Sequence, residues 1–335
     1  MESMGETQVW HGGDLDEAQK MFPGAPGPWI DLSTGINPIA YPMPALPSRS
    51  FERLPSPSAH RDLERAAAGA YGAPHEENVA AAPGTQVLIS LLPHLRPPSR
   101  VAVLGPTYAE HQRAWRQAGH GVSEIGSPDH AEDADVLVVV NPNNPDGRLL
   151  HRRTLLDLAE CLRGRGGWLV ADEAFADFDG DETLVPLLPE NAIVLRSFGK
   201  TYGLAGLRLG FAIAPASLAA PLRAALGPWA VSGPAIEAGR LALRDREWLA
   251  AAKGARAADA SRLDGLLAPL ADAPPRGTIL YRLMESRRAP DLFAHLGGGG
   301  IWVRRFAHDP RLLRFGLPGS EEAWSRLAAA LGSFA

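Results

Sequence analysis

At 335 residues the chain exceeds the usual size of one core, so two domains, or one domain with an appendage, are expected. Apolar residues make up 45% and charged residues 21%, which excludes a disordered chain and fits a globular enzyme or ligand binder. With 33 basic and 38 acidic side chains the net charge is -5, in no long run of either sign, which excludes the basic footprint of a nucleic-acid or anionic-membrane binder.

The opening MESMGETQVW lacks the apolar run of a signal peptide, and nowhere do about 18 apolar residues follow one another, so a cytoplasmic protein is expected. His-Gly-Gly-Asp stands at 11 to 14, and prolines at 23, 26, 28, 38, 42, 44 and 47 predict an extended arm over residues 1–45, packed on a smaller domain or on a partner subunit. Pro83-Gly84-Thr85-Gln86 then opens a helical segment, QVLISLL. VAVLG (101–105), DVLVVV (135–140), GWLVAD (167–172), AIVLRS (192–197) and GFAIA (210–214) are of strand length and rich in branched residues. Between them, YAEHQRAWRQAG (108–119) and RRTLLDLAECLRGR (152–165) repeat apolar residues at helical spacing. Near-continuous apolar strands alternating with helices predict an α/β fold with a large, mostly parallel, doubly wound sheet over residues 46–234.

Beyond Ser232-Gly233-Pro234 the texture changes. Residues 235–268 read as one long or broken helix, ILYRLM (279–284) and GIWVRRF (300–306) as strands, and EEAWSRLAAALG as an amphipathic helix. A small α+β domain over residues 235–335 is expected. Cys161 stands alone, which excludes an internal disulfide, and the ten histidines show no H-x-x-x-H spacing, so no metal is expected.

Ligands of open α/β sheets bind outside the carboxyl ends of the strands. Four groups follow those ends here: Tyr108 after VAVLG, the loop NPNNPDG with Asn144 after DVLVVV, Asp172 at the end of GWLVAD, and Ser197 with Lys200 after AIVLRS. Singly, each has a plain structural use, as a turn, a cap or a core aromatic. Together they suit a phosphorylated pyridine aldehyde. A lysine amine holds the aldehyde carbon, a carboxylate keeps the ring nitrogen protonated, an amide meets the phenolate oxygen and an aromatic ring stacks. Backbone N–H groups where a helix opens at Gly84, Thr85 and Gln86, with Ser197 and the forked Arg208, suit the phosphate. A nucleotide phosphate loop through Gly199-Lys200-Thr201 needs a glycine at 194, where Val194 stands.

The set resembles the fold-type I, pyridoxal-phosphate-dependent aminotransferases of the histidinol-phosphate branch, over nearly the whole chain. NPNNPDG matches N-P-x-N-P-x-G, DEAF matches D-E-A-[YF], and SFGK followed by GLRLG matches S-x-x-K with G-L-R-x-G. The resemblance implies that Lys200 carries the cofactor, Asp172 faces its ring nitrogen, Asn144 meets its phenolate oxygen and Tyr108 stacks on it. Gly84, Thr85, Gln86, Ser197 and Arg208 hold its phosphate. Arg314, in LLRFGLPG, matches the arginine that grips a substrate α-carboxylate, and a homodimer is implied.

A narrower resemblance, carried by HGGD, DLSTGINPIAYP, YAEHQRAW and RFGLPG, is to the cobalamin-pathway members of the branch, the threonine-phosphate decarboxylases and their relatives. It implies decarboxylation of O-phospho-L-threonine, with transamination of a phosphorylated amino acid as the alternative. It also implies a substrate site made by His11, Gly12, Gly35, Asn144, Arg304 and Arg314. Two positions depart from the wider pattern. Phe175 stands where many relatives carry a tyrosine, and Leu54 where a tyrosine reaches the partner's cofactor phosphate.

Overall fold

The computed structural model of the chain describes residues 11–178 and 180–334, so the first ten residues of the expected arm lie outside the described residues. Among the described residues twelve strands follow in chain order: β1 (Ile30–Leu32), β2 (Val79–Ala82), β3 (Arg100–Leu104), β4 (Gly121–Ile125), β5 (Val136–Val140), β6 (Trp168–Asp172), β7 (Ala192–Ser197), β8 (Gly210–Ile213), β9 (Arg276–Thr278), β10 (Tyr281–Glu285), β11 (Ile301–Arg305) and β12 (Leu312–Gly316). Ala40–Lys253 forms one compact unit, and the described residues up to Ile39 and from Gly254 form a second.

The larger unit holds a seven-stranded sheet in the order β2-β8-β7-β6-β5-β3-β4. All neighbours are parallel except those of β8, which runs against both β2 and β7. Side chains alternate across the pleat. Val101, Val103, Val136, Val138, Val170, Ile193 and Leu195 enter one core, while Ala102, Leu104, Leu137, Val139, Leu169, Ala171 and Val194 enter the other. Both faces are dry, which is why these strands read as unbroken apolar runs.

The helix Pro57–Tyr71 shows how local signals fix the covering layer. Ser56 accepts from the Ala59 N–H at 3.1 Å, proline occupies the first turn, and Gly72 closes the helix in the left-handed region at φ 76°. The helix Gly233–Ala242 packs against it. That packing keeps residues 235–253 with the large sheet, so the observed division falls at Lys253 rather than at the change of texture near Pro234. The long helical stretch is broken in two, Gly233–Ala242 and Arg246–Leu267.

The second unit carries the sheet β1-β11-β12-β10-β9. Its β1 pairs in parallel with β11, and the other neighbours are antiparallel. The proline-rich arm therefore contains a capped helix, Leu15–Met21, and a sheet strand rather than extended chain alone. No helix among the described residues is long and apolar enough to cross a membrane.

Candidate active site

Because β3, β5, β6 and β7 are parallel, their carboxyl ends share one edge of the large sheet. Across that edge Val140 is opposite Asp172, and Asp172 opposite Leu195. Ser197 is opposite Gly210, and Gly210 opposite Ala82, whose strand leads directly into Gly84. Three strand spacings, about 14 Å, therefore span the distance from Asp172 to the turn at Gly84.

Asp172 is 3% exposed. Its Oδ2 lies 2.8 Å from His111 Nε2, and its Oδ1 accepts from the Ala174 N–H at 3.0 Å. A carboxylate only accepts, so the imidazole N–H donates. His111 sits in the first turn of the helix Glu110–Gln117, and Tyr108 meets it edge to face at 6.2 Å. The Tyr108 hydroxyl donates to Gln86 Oε1 at 2.9 Å, which ties the aromatic to the helix opened by Gly84.

Lys200 lies in the short helix Phe198–Thr201 that follows β7, half-buried, with its Nζ 4.7 Å from the centre of the Phe175 ring. The position where many relatives carry a phenol thus presents an apolar ring face to the lysine. In the NPNNPDG loop, Asn141 exchanges two hydrogen bonds with Leu150, at 2.7 and 3.1 Å. Asn143 donates to Pro106 O and Asp146 Oδ1 and accepts from Thr107. Two of the three amides therefore shape the loop, and Asn144 is the half-buried third.

A cradle lies at the other end of the rim. Gly84 has φ +90°, and a Cβ there would stand 2.6 Å from Arg208 Nη2. A Cβ on Gly210 would stand 2.6 Å from the Thr85 nitrogen. Only glycine at both places lets the Arg208 guanidinium and the start of β8, paired with the end of β7 at Ser197, come this close to the turn at Gly84 and Thr85. That donor set, with a buried carboxylate and a lysine along the same edge, fits pyridoxal phosphate.

In the second unit Arg304 and Arg314 stand directly opposite each other on β11 and β12. Arg314 is 4% exposed, its guanidinium 4.8 Å over the Tyr281 ring, and its Nη2 donates to the Ser33 carbonyl at 2.9 Å. Burial, with the neighbouring Arg304 charge adding to it, lowers the Arg314 pKa to about 10. Ser33 also gathers the arm: its Oγ accepts from the Gly13 N–H at 2.7 Å and donates to Asp31 at 2.5 Å, and Gly12 packs on its carbonyl. Gly35 is buried two residues on, and His11 is exposed.

A family model described as aminotransferase class I and II matches residues 29–331. The chain belongs to that family. It is 43% identical to a threonine-phosphate decarboxylase of Pseudomonas aeruginosa, over 97% of each chain, and 41% identical to one of Sinorhizobium, over 96% of this chain and 97% of the relative. Among solved structures, a histidinol-phosphate aminotransferase of Sinorhizobium meliloti in complex with pyridoxal-5'-phosphate is 20% identical at a TM-score of 0.79, covering 98% of this chain and 96% of that one. The fold is thus that of the fold-type I aminotransferases.

Within this class I and II aminotransferase fold, the rim gathers Gly84, Thr85, Gln86, Tyr108, Asn144, Asp172, Ser197, Lys200 and Arg208 in one unit. The second unit gathers Gly12, Gly35, Arg304 and Arg314. His111 and Ser33 carry much of this geometry and were not expected. The signal for His111 was its place three residues after Tyr108, at the start of a helix, where both face the same way. Ser33 acts partly through its main-chain carbonyl, which no sequence motif marks.

Proposed function

We propose that this chain is a pyridoxal-phosphate-dependent lyase that removes CO2 from O-phospho-L-threonine, leaving (R)-1-aminopropan-2-yl phosphate for cobalamin biosynthesis. The observation that carries the reading is the Arg304/Arg314 pair: two facing cations in a partly dry sheet suit a substrate with more than one anionic group. Full-length similarity to proteins named threonine-phosphate decarboxylase supports this choice of substrate.

Lys200 would hold the cofactor through its amine, with Asp172 serving the ring nitrogen, Asn144 the phenolate oxygen and Tyr108 a ring face. Bound there, pyridoxal phosphate supplies a sink for the electron pair left on Cα when the bond to the carboxylate carbon breaks. The His111 N–H donates to Asp172 Oδ2 and fixes the direction of the carboxylate. Arg304 and Arg314, with the turn of His11 and Gly12, hold the anionic ends of the substrate. This grip orients the bond that breaks and keeps water from the departing carboxylate. The Cα then needs one proton, and the Lys200 ammonium would deliver it.

The test is mass spectrometry of products after incubation with pyridoxal phosphate and O-phospho-L-threonine, with and without 2-oxoglutarate. Aminopropanol phosphate is expected without any keto acid, and not from Lys200→Ala. A keto product that appears only with 2-oxoglutarate would make the chain a transaminase and overturn the reading.

The same proposal includes a homodimer acting in the cytoplasm. Phe51, Leu54 and Trp229 are 68%, 69% and 55% exposed, large apolar side chains that a second copy would cover. Sedimentation of the wild type and of Phe51→Glu at equal concentration tests it; a monomeric wild type refutes it.

A further inference from the structure

Arg196 is 2% exposed in β7, one residue before Ser197. Its Nη1 donates to Asp177 Oδ1 at 2.8 Å, and its Nη2 to Thr183 Oγ1 at 2.9 Å. The same Nη2 lies 3.0 Å from Glu173 Oε2, and the guanidinium rests 4.9 Å over the Tyr71 ring. Glu173 is 0% exposed and also accepts from Thr183 Oγ1 and the Leu184 N–H. Burial pushes both carboxyls above the ordinary range, and the Arg196 charge opposes that shift. One buried cation thus meets two buried carboxyl groups, an arrangement that apolar residues of similar volume often replace without loss of stability. Stability is therefore a weak reason for it, and its placement gives a stronger one.

Glu173 opens a turn closed by the Ala176 N–H bonding its carbonyl at 3.1 Å, and Asp177 follows directly, so the two carboxyl groups bracket it. Between them Phe175, 4% exposed, sets its ring 4.7 Å from Lys200 Nζ. We propose that Arg196 is a positioning residue for Lys200: it grips both ends of the turn 173–177 and so holds the Phe175 ring face under the lysine ammonium. The inference rests on the reading of Lys200 as the amine that takes the cofactor. An ammonium over an aromatic face is held in its charged form, so the clamp sets the basicity of the group that must both bind an aldehyde and move a proton.

The experiment compares full-length wild type with Asp177→Asn and Asp177→Ala. Both variants remove the same charge, but only asparagine keeps an oxygen that can accept from Arg196. Formaldehyde with a borohydride methylates amines, and peptide mass spectrometry reads each lysine across a pH series. The chain has three, Lys20, Lys200 and Lys253, so two serve as internal references. The Lys200 midpoint is expected to match wild type in Asp177→Asn and to fall by about half a unit to one unit in Asp177→Ala, the size of a cation–π contact at a partly exposed site. Lys20 and Lys253 should not move between variants. Equal midpoints in the Ala and Asn variants, or a shift of all three lysines together, would overturn the proposal. Should Asp177→Ala fail to fold, Arg196→Lys keeps the charge but grips only one end of the turn. A wild-type Lys200 midpoint there would equally overturn it. Because the labelling needs no cofactor, its outcome is separate from whether the Lys200→Ala variant still forms product.

Discussion

The rim of the large sheet and the arginine pair of the small one both place charge where water is scarce, and they do so in opposite ways. On the rim carboxyl groups are brought together with donors: Asp172 with the His111 N–H, Glu173 and Asp177 with Arg196. On the small sheet like charges are: Arg304 faces Arg314, and the buried member of the pair has its pKa pulled down to about 10. A site whose electrostatics are complete within the chain is preorganised for one permanent occupant. A site whose cations repel one another gains when an anion arrives. The first arrangement suits a resident cofactor, the second a substrate that comes and goes.

The largest effect is expected from breaking the rim. Asp172→Asn keeps the shape but removes the charge proposed to face the cofactor ring, and kcat should fall on the order of 10³-fold. The visible absorbance of bound pyridoxal phosphate should persist, because Lys200 still supplies the amine. Loss of that absorbance together with activity would mean that Asp172 acts on folding or affinity rather than on the reaction.

How far each region could be foreseen follows from the same contrast. Tyr108, Asn144, Asp172, Ser197 and Lys200 lie at or shortly after the ends of buried apolar strands, so runs such as DVLVVV or GWLVAD announce where polar side chains follow. β2 and β4 gave no such warning: VAAA carries no branched run beyond its first residue, and GVSEI lies at the sheet edge with little buried surface. The arginine pair lies inside antiparallel strands, where meaning comes from cross-strand register. Arg304 and Arg314 are ten residues apart, and nothing in their spacing tells that they face each other. Similarly, the grip of Arg196 on Glu173 and Asp177 depends on β6 and β7 being neighbours. The resemblance to known enzymes supplied the roles of the arginines before the register gave a physical reason for them.

An intermediate effect, with two opposite signs, should come from the small sheet. Arg314→Leu removes the charge-assisted grip proposed for the substrate, so KM for O-phospho-L-threonine should rise about 10- to 100-fold. The same change removes a buried cation beside another cation, so the chain without substrate should melt at a higher temperature, by about 1 kcal/mol in stability. Calorimetry and initial rates on one preparation measure both. A variant that is less stable as well as slower would make Arg314 part of the fold's support and would erase the contrast with the rim.

The smallest effect separates a buried charge that is used from one that is merely tolerated. Glu64, in the helix Pro57–Tyr71, is 7% exposed, accepts from the Ala81 N–H at 3.3 Å, and is pushed by burial to a pKa of about 7. An unfolded glutamate releases its proton near 4.5. Below that pH both states are protonated. Between 4.5 and 7 the folded chain keeps a proton that the unfolded chain has lost, so stability declines as pH rises through this window and levels off above it. Glu64→Gln keeps an acceptor for Ala81 and has nothing to titrate. It should therefore stabilise the chain at pH 8, change little near pH 4.5, and flatten the profile between. Turnover should stay at the wild-type level, because β2 keeps its pairing and the turn at Gly84 keeps its place. A fall in cofactor affinity with Glu64→Gln would instead join this helix to the phosphate cradle and extend the preorganised rim one layer outward.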